Sequence, residues 1–210
     1  MRLVYVARHG ETDWNGAGRY QGRRESQLTA LGRQQAMALA EELAPRDLER
    51  VVASPLSRCR QTAAVVAERA GVVLETDGRL VEIAHGSWEG RLREEIERSD
   101  AARMRAWRES PQTVAFPGGE SLQDVLGRWC EFARGLEVRR SVAVVTHDVL
   151  VRIAILWAGR RPISELWQPR VHNGGYAVFE PEGDPWRLVR ECCESHLGAG
   201  LLADTSRQAL

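Results

Sequence analysis

Short apolar runs rich in β-branched residues, alternating with helical stretches, constrain the fold of this chain more than any other feature. The runs cover residues 3–7, 51–53, 72–74 and 141–146, and the last of them is the strongest. Runs of this length and composition are typical of fully buried strands. Because strands that alternate with helices favour a parallel arrangement, the pattern predicts an α/β protein with a mostly parallel sheet.

Helical patterns fill the intervals between these strands. Thr29 is a candidate N-cap for the first long helix, and Gly71 is a candidate C-terminal glycine for the second. Helices are predicted at residues 30–44, from Ser54-Pro55 to Gly71, and at residues 91–108, 120–136 and 149–158. Residues 80–90 are predicted to be irregular, residues 176–179 and 186–189 to form a hairpin, and residues 195–210 have a weak pattern.

The composition excludes several classes of function. The chain has 29 basic and 29 acidic residues, and every basic residue is an arginine. The balanced charge argues against a nucleic acid or a membrane surface as partner. Without lysine, the protein has no Schiff-base chemistry and no Walker A phosphate loop. A bound phosphate must therefore be held by arginine, histidine, backbone N–H groups or a metal.

The cysteines and histidines do not form a recognisable metal or disulfide framework. The four cysteines contain no C-x-x-C pair, and the five histidines have no metal-ligand spacing. We therefore expect no metal and no cofactor. The apolar run at residues 3–7 is too short for a signal peptide or a membrane span, so we expect a cytoplasmic protein.

Four polar residues stand where predicted strands end or predicted helices begin. His9 and His147 each follow a buried strand, Arg58 opens a helix, and Arg8 precedes His9. In open α/β sheets, ligand sites gather at the carboxyl ends of the strands. Two histidines and two arginines there, with the carboxylate of Glu82 nearby, would suit a tetrahedral phosphate dianion.

The order of these motifs resembles the histidine phosphatase superfamily, in its phosphoglycerate mutase-like branch. The segments that carry the resemblance are residues 3–12 with Asn15 and Gln21-Gly22, residues 28–36, residues 54–63, residues 118–121 and residues 144–147. The resemblance covers residues 3 to about 198. It implies one domain over residues 1–210, with a three-layer α/β/α fold, a mostly parallel sheet and an antiparallel C-terminal hairpin strand.

The resemblance also implies roles for individual residues. His9 would be the nucleophile that accepts the phosphoryl group, and Glu82 would protonate the leaving oxygen and then activate water. The phosphate oxygens would be held by Arg8, Arg58 and His147. The expected substrate contacts are Asn15, Gln21, Gly22, His85 and His196.

One residue departs from the family pattern. The position after His147 is usually small, and here it is Asp148. Because a carboxylate would repel a phosphate, we expect the Asp148 side chain to point away, with only its backbone N–H near the ligand.

The branch contains both mutases and phosphatases. Only 65 residues separate Glu82 from His147, which resembles the shorter phosphatases rather than the mutases with a covering insertion. Residues 82–90, 107–121 and 195–198 are similar to metal-independent phosphoserine phosphatases. The predicted function is hydrolysis of a small phosphorylated metabolite through a phosphohistidine, with phosphoserine as first candidate and phosphoglycerate as second.

Several alternatives remain open at this point. They are a phosphoglycerate mutase, a phosphatase for a sugar phosphate, α-ribazole phosphate or phosphoprotein, and a non-catalytic phospho-ligand binder. A binder is expected to lack His9 or Glu82, and both are present. A homodimer is a further possibility.

Overall fold

Six strands form one mixed sheet in the computed structural model, which describes residues 2–202. The strands are β1 (Val4–Arg8), β2 (Leu48–Ala53), β3 (Val73–Thr76), β4 (Ser141–Thr146), β5 (Tyr176–Glu180) and β6 (Arg187–Cys193). Their order across the sheet is β3-β2-β4-β1-β5-β6. Strands β1 to β4 run parallel, and β5 pairs antiparallel with both β1 and β6. This confirms the predicted sheet and its C-terminal hairpin.

Helices cover both faces of the sheet. They are α1 (Asp13–Gly16), α2 (Ala30–Leu43), α3 (Ser57–Ala70), α4 (Arg93–Ser99), α5 (Ala101–Glu109), α6 (Leu122–Gly135), α7 (Asp148–Ala158) and α8 (Gly198–Leu201). Short 3-10 turns lie at Gly78–Leu80, Gly86–Trp88, Pro111–Thr113, Ile163–Glu165 and Ser195–Leu197. Within the described part of the chain, no helix is long and apolar enough to cross a membrane.

Strand β4 shows how the sequence builds two cores. Its side chains alternate in direction, so Val142 and Val144 pack against α6 and α7, whereas Ala143 and Val145 pack against α2 and α3. All six of its residues are buried. A strand that is covered on both faces needs apolar side chains on both, which explains the continuous apolar run in the sequence.

One predicted helix was wrong. Residues 91–108 form two helices, α4 and α5, which meet at Asp100 with a non-helical φ of −145°. The Asp100 carboxylate accepts a hydrogen bond from Nε1 of the buried Trp88 at 2.9 Å and also pairs with Arg103. This contact with a residue outside the helical segment ends α4. In the stretch with a weak pattern, residues 195–201 form a turn and α8, and residues 203–210 lie outside the described residues.

The parallel strands bring the ends of distant segments together. In the β1–β4 ladder Arg8 lies opposite Thr146, and the next backbone N–H, that of His9, donates to the Thr146 carbonyl at 3.0 Å. His9 and His147 are therefore neighbours although 138 positions separate them. Strand β2 lies on the other side of β4 and leads into α3, which places Arg58 at the same edge.

Candidate active site

His9 and His147 face each other at the carboxyl edge of the sheet, with Arg58 bonded to both. Their ring centroids are 5.2 Å apart in an edge-to-face arrangement. Nε of Arg58 lies 3.2 Å from Nε2 of His9 and 3.2 Å from Nδ1 of His147. The structure thus brings together three of the residues that the sequence placed on separate segments.

A hydrogen bond to the backbone fixes the orientation of the His9 imidazole. Its Nδ1 lies 2.7 Å from the Gly10 carbonyl, to which it donates, so Nε2 carries the lone pair. Burial, with the Arg58 and Arg8 cations nearby, holds the pKa of His9 well below its usual value. The ring is therefore neutral at physiological pH, and Nε2 is able to attack an electrophile.

Arg58 is held in place from both sides of its guanidinium. Its Nη1 and Nη2 donate to the carbonyls of Arg24 and Gly22 at 2.9 and 2.8 Å. His147 is fixed by Ser54, whose hydroxyl lies 2.8 Å from Nε2. Both residues are fully buried. Cations and donors fixed in this way stabilise charge without reorganising during a reaction.

Asp148 lines the cleft, and two arginines bind its side chain. The carboxylate is 1% exposed and accepts a hydrogen bond from Nη1 of Arg8 at 3.0 Å. Arg152, one turn later on α7, donates to the same carboxylate from Nε at 2.6 Å. Because two arginines flank one carboxylate, the group keeps a net positive charge and tolerates the acid beside a phosphate site.

Glu82 lies on the cleft wall, in the irregular segment between β3 and α4. It is 8% exposed, and its Oε1 accepts from the backbone N–H of Ile83 at 2.9 Å. Burial and the charge of Asp148 raise the pKa of Glu82 to about 7. A carboxyl group with a pKa in this range exists in both protonation states near neutral pH and is suited to general acid–base chemistry.

Asn15, Gln21 and Gly22 form another part of the wall. The amide oxygen of Gln21 accepts from the hydroxyls of Thr12 and Ser26, which leaves its NH2 group to contact a ligand. Gly22 has a φ of +52°, and a Cβ there would lie 2.1 Å from the Glu89 carboxylate. This close approach requires glycine, which lets the Gly22 carbonyl reach Arg58.

His85 is buried against aromatic rings rather than solvated. Its ring makes edge contacts with Tyr20, Trp107 and Phe116, at centroid distances of 5.1, 5.9 and 4.8 Å. It is 4% exposed and lines the cleft, and both ring nitrogens lack a hydrogen-bond partner. Burial lowers the pKa of His85 to about 3. The ring offers a ligand a neutral N–H donor.

Two predicted site residues do not line the cleft: the fully buried His147, which contacts it through Arg58, and His196. Nε2 of His196 lies 2.9 Å from the Gly174 carbonyl, and the His196 ring packs near Tyr176. The N–H of Gly174 in turn bonds the Arg8 and His9 carbonyls, at 3.1 and 3.3 Å. His196 therefore contacts a segment that supports the site, without reaching the cleft itself.

The sequence reasoning missed two residues that hold the His9 loop. Thr62 accepts a hydrogen bond from the Gly10 N–H at 3.1 Å, and Asn173 donates to the His9 carbonyl at 3.0 Å. Thr62 lies one turn after Arg58 on α3, a spacing that places both on one helix face. Asn173 lies in a loop and gave no signal in the sequence.

The cleft is narrow, with a volume of about 20 Å³, well below that of typical ligand pockets. Arginines, histidines and Glu82 line it, which favours a small phosphorylated ligand over a large apolar one. Among residues 2–202, no group of three or more histidine, cysteine, aspartate or glutamate side chains is placed to hold a metal ion.

A neutral histidine among arginines, with a carboxyl group of raised pKa on the same cleft wall, suits a phosphorylated ligand. The model of the histidine phosphatase superfamily (branch 1) matches residues 4–193. The chain belongs to this superfamily and is a phosphoric monoester hydrolase.

Several known proteins are similar over nearly the whole chain. Phosphoserine phosphatase 1 of Hydrogenobacter thermophilus is 34% identical over 201 residues, covering 94% of this chain and 95% of that protein. A probable phosphoglycerate mutase GpmB of Salmonella choleraesuis is 36% identical over 217 residues, covering 99% and 100%. The solved structure of Bacillus stearothermophilus YhfR has a TM-score of 0.87 at 30% identity, covering 94% of this chain and 100% of that one.

Proposed function

We propose that this enzyme hydrolyses a small phosphomonoester that bears a carboxylate, with phosphoserine as the first candidate and phosphoglycerate as the second. The observation that carries the chemistry is the neutral Nε2 of His9, held beside Arg58 in a cleft that also contains Glu82. The similarity to a phosphoserine phosphatase over 94% of the chain supports the order of the candidates.

The first half of the proposed reaction forms a phosphohistidine. Nε2 of His9 attacks phosphorus, and the bond from phosphorus to the ester oxygen breaks. Glu82 gives its proton to that oxygen, so the alcohol leaves neutral. Arg8, Arg58 and His147 stabilise the charge on the three remaining phosphoryl oxygens.

The second half returns the enzyme to its starting state. Water attacks the phosphorus of the phosphohistidine, and Glu82, now a carboxylate, takes a proton from that water. The bond between phosphorus and Nε2 breaks, inorganic phosphate leaves, and Glu82 is again protonated. Each turnover therefore consumes one ester and one water.

Replacing the nucleophile tests this scheme directly. His9→Ala is expected to lose at least about 10³-fold in kcat, the scale seen when a covalent nucleophile is removed. In the wild type, rapid quenching with phosphoserine should give a phosphoryl adduct on the peptide that contains His9. Near-normal turnover by His9→Ala, or an adduct on another residue, would contradict the scheme.

A substrate panel in the presence of EDTA tests the choice of substrate. We expect phosphoserine to give the highest kcat/KM, followed by phosphoglycerate, with sugar phosphates that lack a carboxylate lower. Loss of all activity in EDTA would point to a metal phosphatase. A preference for the sugar phosphates would overturn the substrate assignment and leave the phosphatase assignment intact.

A second candidate function is phosphoglycerate mutase, favoured by the full-length similarity to a probable enzyme of that name. That relative also shows that a chain of this size carries the mutase name, so chain length does not separate the two activities. Phosphate release from 3-phosphoglycerate should exceed bisphosphate-dependent interconversion of 2- and 3-phosphoglycerate. The reverse ratio would select the mutase.

A further inference from the structure

Asp148 connects the cleft to a second arginine that no step of the proposed reaction uses. Its carboxylate is 1% exposed and accepts from Nη1 of Arg8 at 3.0 Å. The same Nη1 of Arg8 also donates to the Val171 carbonyl at 2.9 Å. Arg8 is therefore fixed by a charged partner and a backbone partner, both of which lie outside its own strand.

Arg152 anchors Asp148 from the side away from the cleft. Nε and Nη2 of Arg152 lie 2.6 and 3.3 Å from the two carboxylate oxygens. Nη1 of Arg152 donates to the carbonyls of Leu166 and Pro169, and the guanidinium lies 5.3 Å from the centre of the Trp167 ring. Asp148 and Arg152 lie on the same helix, and the backbone carbonyls of Leu166 and Pro169 hold the Arg152 guanidinium in place. The Asp148 carboxylate, which binds that guanidinium, therefore has a fixed position.

Glu82 shares the cleft wall with Arg8 on β1, Arg58 on α3 and Asp148 on α7. Arg128 on α6 is a further cation that acts on its charge. His9 and His85 also line the cleft and are neutral. The cations favour the carboxylate form of Glu82, and the Asp148 charge opposes that form.

We propose that Asp148 is a positioning residue of the phosphatase reaction: it holds the Arg8 guanidinium at the phosphate site and opposes ionisation of Glu82 on the same cleft wall, while Arg152 fixes Asp148 and offsets part of its charge. This inference rests on the proposed function. The negative charge of Asp148 thereby has two effects. It orients a phosphate-binding cation, and it increases the protonated fraction of Glu82 before substrate arrives.

Asp148→Asn tests the effect on Glu82 because it keeps the shape of the side chain and removes its charge. Without that charge, Glu82 loses its proton at lower pH. The alkaline limb of the kcat/KM profile for phosphoserine should therefore move to lower pH by about one unit. The profile for p-nitrophenyl phosphate should keep its alkaline limb, because that leaving group barely needs a proton.

Arg152→Gln is a second variant, and it should shift the alkaline limb of the kcat/KM profile in the opposite direction. It leaves Asp148 paired with Arg8, so no buried charge loses every partner and the variant is expected to fold. With one cation removed, the Asp148 charge acts more strongly on Glu82. The alkaline limb for phosphoserine should move to higher pH.

Asp47→Asn is the matched control. Asp47 is exposed, pairs with Arg140 at 3.0 Å and precedes β2, at the opposite end of the sheet from the cleft. The pH profile of kcat/KM for phosphoserine in Asp47→Asn should match that of the wild type.

The outcomes separate the two proposals. Opposite shifts in Asp148→Asn and Arg152→Gln, for phosphoserine alone, support the positioning role. Unchanged limbs, shifts in the same direction, or equal shifts on both substrates overturn it. If Asp148→Asn does not fold, the direction of the Arg152→Gln shift decides. A wild type inactive on every phosphomonoester would instead reject the proposed function.

Discussion

At the scale of single residues, the site depends on burial that changes the protonation of its groups. Burial lowers the pKa of His9, which keeps its ring neutral, and raises the pKa of Glu82 to about 7, which gives that group a protonated fraction near neutral pH. Arg58 remains as a fixed cation between the two histidines. The site therefore has excess positive charge, which a bound phosphate dianion would neutralise.

Glu82→Gln should distinguish a proton donor from a group that only positions the substrate. We expect a loss of about 10² or more in kcat/KM for phosphoserine, because its alkoxide leaving group needs a proton. For p-nitrophenyl phosphate the loss should be less than about 10-fold. In the wild type, kcat/KM for phosphoserine should fall above about pH 7, where Glu82 loses its proton. Equal losses on both substrates would argue for positioning alone.

His85→Ala should act on binding rather than on chemistry. A lost hydrogen bond to the carboxylate end of the substrate is expected to raise KM for phosphoserine by about 10-fold. p-Nitrophenyl phosphate has no carboxylate, and its KM should change little. Because the His85 pKa is about 3, the ring stays neutral and the KM effect should not vary between pH 6 and 8.

His196→Ala is the comparison variant, since its ring lies outside the cleft. It should raise KM for phosphoserine much less than His85→Ala does. A larger effect of His196→Ala would assign carboxylate recognition to the C-terminal segment instead.

At the scale of elements, the start of α2 fixes the loop that follows His9. The Thr29 backbone N–H donates to the Glu11 carbonyl at 3.0 Å, and the Gln35 amide oxygen accepts from the Glu11 N–H at 2.8 Å. The two backbones touch: a Cβ on Gly10 would lie 2.2 Å from the Gly32 carbonyl oxygen. The match of residues 28–36 to the family pattern thus has a structural reason.

Gly32→Ala should disturb this contact. A Cβ at Gly32 would lie 2.0 Å from the Glu11 carbonyl oxygen, so one backbone must move. We expect a loss of about 1–3 kcal/mol in the free energy of unfolding, measured by chemical denaturation. The shift of the His9 loop should also lower kcat.

Gly127→Ala is the matched control within a helix. Gly127 lies on α6, and nothing surrounds a Cβ there within 4 Å. The alanine should stabilise the protein by about 0.5–1 kcal/mol, because glycine is the poorer helix former, with kcat unchanged. Similar effects of the two substitutions would contradict the close-contact argument.

At the scale of the whole molecule, the raised pKa of Glu82 means that this residue lowers the free energy of unfolding where it is ionised. The unfolded group has a pKa of 4.5 and the folded group a pKa of about 7. Folding therefore favours the protonated form. The cost is absent below about pH 4.5, grows between the two values and is complete above about pH 7.

Glu82→Gln should remove this cost, because its amide stays neutral at all pH values. At pH 8 the variant should exceed the wild type by about 3 kcal/mol in the free energy of unfolding, and at pH 4 by almost nothing. Denaturation curves at both pH values measure the difference. Glu109→Gln, at an exposed position on α5, should show no such pH-dependent gain. A gain that is equal at both pH values would mean that Glu82 is not perturbed.

Sequence alone determined the sheet and the positions of the central site residues. Buried parallel strands need apolar side chains on both faces, which leaves a readable run such as residues 141–146. His9 and His147 follow such runs, and Arg58 opens α3 directly after another. Because parallel strands end at one edge, their order along the chain was enough to bring these residues together.

Only the tertiary structure decided the partners of Asp148, the break at Asp100 and the position of His196. Asp148 is buried beside the site because Arg8, 140 positions away, and Arg152 neutralise its charge. Asp100 ends a helix because Trp88 packs beside it. His196 stays outside the cleft because the carbonyl of Gly174 binds its ring. Each outcome depends on contacts with residues that are distant in sequence, and local sequence patterns cannot predict such contacts.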